Sequence, residues 1–253
     1  MDTPAAAPAP AAIPAPDPAA HRRTPGSRVW DAVMIANVAI LGLLLLLGLV
    51  VFGLDAAGFG PDVGEGPDGD GDAGGASEAA AWFQVIFNFT AFGIVPFAWL
   101  LGTRVSPWRG ALAYLQLHRP WRSLAIGTGL TGYLLVGVLL FLLVIGVLGL
   151  TPEGDAEETL ALSWPLVIAV SLGAGIGEEV FFRGVAQKYV GVWGQAVFFG
   201  LFHAANGWLG ITVTFAIGLV FGLLVRRGWS LWTVIAAHTC YDLFLLGWAR
   251  AAA

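Results

Sequence analysis

Six ionisable residues interrupt apolar sequence in the last third of the chain: Glu178, Glu179 and Arg183, then His203, then His238 and Asp242. A carboxylate and an imidazole that share a water can take its proton and make it a nucleophile. A second imidazole beside a carboxylate can hold a developing oxyanion or polarise a carbonyl. Two imidazoles and a carboxylate, here Glu178, His203 and His238, also make a set for zinc or another divalent ion with one position left open. The His-Glu-x-x-His pattern is absent, so spacing alone does not demand a metal. On a helix Glu179 and Arg183 stand four apart and can pair. Glu178 lies about 100° round from Glu179 and faces elsewhere. His238 and Asp242, also four apart, face one cavity. Cys240 is two residues from His238 and points nearly the opposite way, which removes it as a nucleophile for that imidazole.

These residues need elements to hold them, and composition says what kind. The chain has 253 residues, 57% hydrophobic and only 11% charged, with a mean hydropathy of +0.78. A soluble domain carries roughly 25% charged residues. A disordered chain needs low hydrophobicity. Both are excluded, and the expectation is an all-α, polytopic transmembrane helix bundle. Apolar runs at 29–54, 82–102, 122–150, 160–187, 190–205, 209–226 and 229–249 predict about seven spans. Strands are disfavoured, because alternation is missing and open sheets cannot cross lipid. The Ala/Pro-rich segment 1–28 is expected to be a disordered tail. Residues 29–150 then hold three N-terminal transmembrane helices and an acidic loop at 55–81, and 160–249 form a second bundle. In that loop Asp68, Asp70 and Asp72 have the opening spacing of a calcium loop. Ala73 and Ala79 replace its glycine and closing glutamate, so a solvated acidic loop is the better reading.

Charge placement gives a topology. All but Arg250 of the twelve basic residues fall on one side if the spans alternate, whereas loops 55–81 and 151–159 hold acids and no basic residue. The positive-inside rule puts the N-terminus in the cytoplasm and the C-terminus outside a cell membrane. All but Trp108 of the eleven tryptophans lie near span ends, the interface that indole prefers. Lys and Arg form no basic stripe, so nucleic acid is not an expected partner. There is one cysteine, hence no intrachain disulfide.

Counted from the cytoplasmic ends at 1.5 Å per residue, Glu178 and His238 lie roughly 13 Å deep and His203 and Asp242 roughly 20 Å deep. The groups can share one layer contributed by three helices. Charges at such depth are costly and mark function. The pairs Gly173/Gly177 and Gly218/Gly222 have the small-xxx-small spacing that lets helices approach closely.

The ordered motifs resemble a known family. Glu178-Glu179-Val180-Phe181-Phe182-Arg183 looks like the EExxxR motif of the CPBP intramembrane proteases, the type II CAAX prenyl endopeptidases and bacteriocin-processing (Abi) proteins. Phe199 to His203 resembles their FxxxH motif, and His238 to Asp242 their HxxxN/D motif. The resemblance covers about 160–249. It implies an endopeptidase acting on a membrane-associated protein or peptide. Glu178 and His203 would activate water, Glu179 and Arg183 would be a structural ion pair, and His238 and Asp242 would stabilise the tetrahedral intermediate. Family members are often called metalloproteases, and a metal-free glutamate mechanism also fits. The last motif position is Asp242, where the prenyl endopeptidases usually carry Asn, which weakens a prenylated substrate more than it weakens proteolysis. Two other classes stay open: a non-catalytic immunity or scaffold protein of the same fold, and a proton-coupled transporter. The transporter is disfavoured because no inverted repeat is visible.

Overall fold

The computed structural model describes residues 23–24, 26–56, 73–103, 107–150 and 162–252. The N-terminal tail, most of the acidic loop with Asp68, Asp70 and Asp72, and loop 151–159 lie outside the described residues.

Helix α1, Ser27–Ala56, is a long apolar rod that leans on α3, Val95–Thr103. Its few polar groups tie it there. Asn37 donates to the Ala91 carbonyl at 2.9 Å, and the Trp99 indole donates to Asp31 at 3.0 Å. Helix α2, Ala73–Asn88, runs into α3 through a wide π-turn at Phe89–Ile94. Pro96 explains the turn: proline has no N–H and crowds the carbonyl four residues back, and an extra residue in the turn relieves both. A short helix α4, Pro107–Tyr114, lies where the sequence reading expected only a loop. Helix α5, Pro120–Val147, starts on a proline in its first turn, behind Arg119 in the left-handed region. The preceding loop is clamped to the start of α9, Leu231–Ala252: Ser230 Oγ donates to the Gln116 carbonyl and accepts from the His118 N–H.

Helix α6, Trp164–Glu179, continues through a second π-turn at Val180–Ala186 into α7, Gln187–Leu201. The stretch Trp164–Leu201 is 38 residues, about 57 Å at helical rise and too long for one crossing. Gly191 breaks it, with φ 72° and ψ 179°, a conformation glycine adopts without Cβ strain. The break falls at the expected join between the fourth and fifth spans. Helix α7 ends earlier than expected. His203 is not helical but caps a 3-10 turn at Ala204–Asn206 that leads into α8, Gly207–Arg226. Gly207, at φ 68°, closes that turn, a stop signal that the apolar run through 205 concealed.

Among the described residues the fold is an all-α bundle, with five stretches long and apolar enough to cross a membrane. Leu43, Leu47, Val136, Leu139 and Leu143 on α1 and α5 are exposed, the outward-facing apolar surface that a bilayer covers. The chain is a multi-pass membrane protein.

Inside, α6 packs on α9, α9 on α5, and α7 on α8. Phenylalanines fill the centre: the Phe182 ring meets Phe181, Phe199 and Phe202 edge-on with centroids 5.1, 5.2 and 5.8 Å away. The closest α6–α9 approach is at Gly175, where a Cβ would overlap the Thr239 hydroxyl and stand 2.9 Å from its backbone nitrogen. Gly173 and Gly177 make only ordinary contacts, so the tight point lies between the two glycines of the expected pair. The Gly218/Gly222 pair does sit at a close crossing, against α7: Ala196 Cα is 3.3 Å from a Cβ at Gly218.

Candidate active site

The last turn of α6 presents two carboxylates in different directions. Glu179 points into protein, where its Oε1 accepts from Arg183 Nη1 at 2.7 Å with both side chains fully buried. The guanidinium plane lies 4.1 Å over the Phe199 ring and 5.4 Å from that of Phe221, so aromatic faces take up charge that no second carboxylate reaches. The same Glu179 oxygen meets His238 Nδ1 at 2.8 Å. A carboxylate only accepts, so Nδ1 carries a proton and Glu179 fixes the plane of that ring. One oxygen thus ties α6, the π-turn and α9 together. The wide turn at Val180–Ala186 brings Arg183 back over Glu179, and π-turns of this kind occur frequently at functional sites.

Glu178 faces the opposite way, into a cavity of about 780 Å³ that His203, His238 and Asp242 also line. Its Oε2 is buried and has no hydrogen-bond partner. His238 Nε2 stands 4.0 Å from that oxygen and 3.4 Å from Asp242 Oδ2. These distances are longer than hydrogen bonds and leave Nε2 turned toward the cavity. His203 reaches the cavity from the turn after α7. Its Nδ1 is 2.8 Å from the Phe199 carbonyl, an acceptor, so Nδ1 is protonated and Nε2 keeps its lone pair. Cys240 points away, its sulfur 3.8 Å from the Thr128 hydroxyl on α5. Phe182, Phe199 and Phe221 give the cavity an apolar wall beside these groups.

All four residues expected to do chemistry therefore line one cavity, and the expected ion pair is formed behind it. The link from Glu179 to His238 joins residues 59 apart in sequence, and no spacing rule reaches that far. For a metal the fit is poor: among the described residues no group of three His, Cys, Asp or Glu side chains is arranged to hold an ion. Such a site has room for a water-sized nucleophile beside a free carboxylate, with a fixed imidazole across from it.

The family comparison bears on this region. Residues 160–244 match the type II CAAX prenyl endopeptidase, Rce1-like family. The Rce1-like region holds all six residues and bears out the resemblance read from their motifs. Helices α1 to α5 lie outside it. An uncharacterised protein of Bacillus subtilis, YpbD, is 30% identical over 82 residues, 32% of this chain and 43% of the relative. The chain thus spans less than half the length of that relative. No solved structure matches the chain.

Proposed function

We propose that the chain is an intramembrane endopeptidase that hydrolyses a peptide bond of a membrane-associated protein or peptide near the cytoplasmic side. Glu178 is the general base: its free carboxylate takes one proton from a water as the oxygen attacks the carbonyl carbon. His203, with Nε2 as acceptor, holds the second hydrogen of that water. The carbonyl oxygen becomes an oxyanion that accepts from Nε2–H of His238, which acts as an imidazolium with its Nδ1–H held by Glu179 and Asp242 at its side. Glu178 then returns the proton to the leaving nitrogen as the C–N bond breaks. Glu179 and Arg183 position the site and touch no substrate. No step runs through a metal. The observation that carries this reading is the Glu178 carboxylate, which makes no hydrogen bond, in a cavity shared with two imidazoles.

The topology proposed with it has a cytoplasmic N-terminus, an outside C-terminus, and three N-terminal helices ahead of the catalytic bundle. Terminal proteomics of membranes from cells making the wild type or Glu178→Ala and His203→Ala variants tests the function. New protein termini should appear only with the wild type, while all three proteins insert equally. Identical termini in all three membranes would sink the proposal and favour a non-catalytic scaffold.

A further inference from the structure

The cavity has a second polar feature, outside the Rce1-like region. Gln84 and Asn88, four residues apart on α2, both line it. They lie within the apolar stretch Glu78–Thr103. A carboxamide at membrane depth is costly unless bonded: Asn37 donates to Ala91, Gln187 to Gly222 and Gln195 to Gly218, whereas Asn206, in the 3-10 turn, lines the cavity as Gln84 and Asn88 do. The amides of Gln84, an exposed residue, and Asn88, a half-buried one, make no hydrogen bond to the described residues, and both residues line the cavity.

Their place relative to Glu178 is fixed by helix crossing. The π-turn after Asn88 meets α6 at Gly177, where a Cβ would stand 3.5 Å from the Gly93 nitrogen and 3.6 Å from the Asn88 carbonyl oxygen. Gly177 is the residue before Glu178, so the Asn88 backbone lies one residue from the general base along α6, and Gln84 stands one turn further along α2. Four residues of helix rise about 6 Å. An extended chain rises about 3.3 Å per residue and turns the same backbone edge outward every second residue, about 6.6 Å. The two spacings agree. A carboxamide offers one acceptor and two donors, the complement of a peptide group's N–H and C=O.

We propose that Gln84 and Asn88 are substrate-positioning residues that bind the main chain of an extended peptide at two peptide groups two residues apart, laying the scissile bond against Glu178. The inference rests on the peptidase reading. Specificity at these points is for backbone shape and not for side chains, so the pair would accept varied sequences in extended form.

An apolar quenched-fluorescent peptide tethered to nanodisc lipid serves as probe, together with variants in which single amides near the cleavage point are replaced by esters. With wild type, one ester should lower kcat/KM about three- to tenfold, the worth of one hydrogen bond, and a second sensitive position should lie two residues away. Asn88→Ala should cost a similar factor on the all-amide peptide and show no further loss with the nearer ester; Gln84→Ala should do the same for the farther one. Asn88→Leu, which keeps the volume, controls for packing, and its melting temperature should match wild type. Ester penalties that persist undiminished in Asn88→Ala and Gln84→Ala, or variants as active as wild type, overturn the inference alone. A wild type that cleaves nothing, or a Glu178→Gln variant as active as wild type, overturns the peptidase reading and this one with it.

Discussion

Replacing Glu179 with glutamine should both unfold the site and silence it, and the size of the first effect follows from Arg183. The guanidinium is fully buried. Glu179 is its one carboxylate partner among the described residues, and Nε and Nη2 find no acceptor. Glu179→Gln keeps the shape but removes the charge, leaving a cation in a fully desolvated place. Breaking a buried pair from one side costs about 3–5 kcal/mol, a large share of the roughly 5–15 kcal/mol that keeps a native fold. In a domain of this size each kcal/mol moves the melting temperature by about 2–4 °C, so the expected drop is on the order of 10 °C. The signal is the intrinsic fluorescence of the eleven tryptophans, followed on heating in detergent. A double variant, Glu179→Leu with Arg183→Met, removes both charges and should recover most of that loss, because the desolvation cost disappears along with the attraction. It should still be inactive, since His238 Nδ1 has lost its acceptor. A Glu179→Gln protein that melts with wild type, or a double variant no better than the single, would refute the view that this pair holds the bundle.

Other expectations follow from single contacts. Gly175→Ala drives a Cβ into Thr239 at the α6–α9 crossing and should cost about 1–3 kcal/mol by overpacking, read as a lowered melting temperature. Cys240→Ser should leave turnover unchanged, as should alkylation or a chelator, because the sulfur faces Thr128 away from the cavity and no proposed step uses a metal. Activity lost to alkylation of wild type but not of the serine variant would place that thiol in the site after all. At position 242, Asn should support more activity than Ala, since it keeps a polar group 3.4 Å from His238 Nε2; equal rates for the two variants would show that Asp242 has no part in holding the imidazole.

Much of this arrangement was legible from residue types. Charges are so scarce in an apolar chain that those at membrane depth stand out, and spacing of four correctly paired Glu179 with Arg183 and turned Cys240 away from His238. What local rules cannot see is contact between distant helices. The double use of Glu179 Oε1 depends on how α9 crosses α6 at Gly175, and the crossing comes from packing. His203 was expected on a helix because apolar runs report burial and not backbone hydrogen bonds; Gly207 ended the helical region just beyond it. Helix α4 was missed because an eight-residue segment is too short to show a period. Gln84 and Asn88 do not stand out in a search for charged groups because an amide is neutral, and their common face matters only once α2 is known to flank the cavity.

The central claim is that the Glu178 carboxylate generates the nucleophile. The most direct measurement is single-turnover cleavage by purified protein in nanodiscs, wild type against Glu178→Gln, with melting temperatures taken on the same samples. General-base catalysis is worth about 10²–10⁴-fold. The account predicts a fall of at least that size in the glutamine variant, with stability close to wild type because no hydrogen bond of Glu178 is lost and its one ion contact, to His238, is 4.0 Å long. Cleavage by Glu178→Gln at the wild-type rate would contradict it.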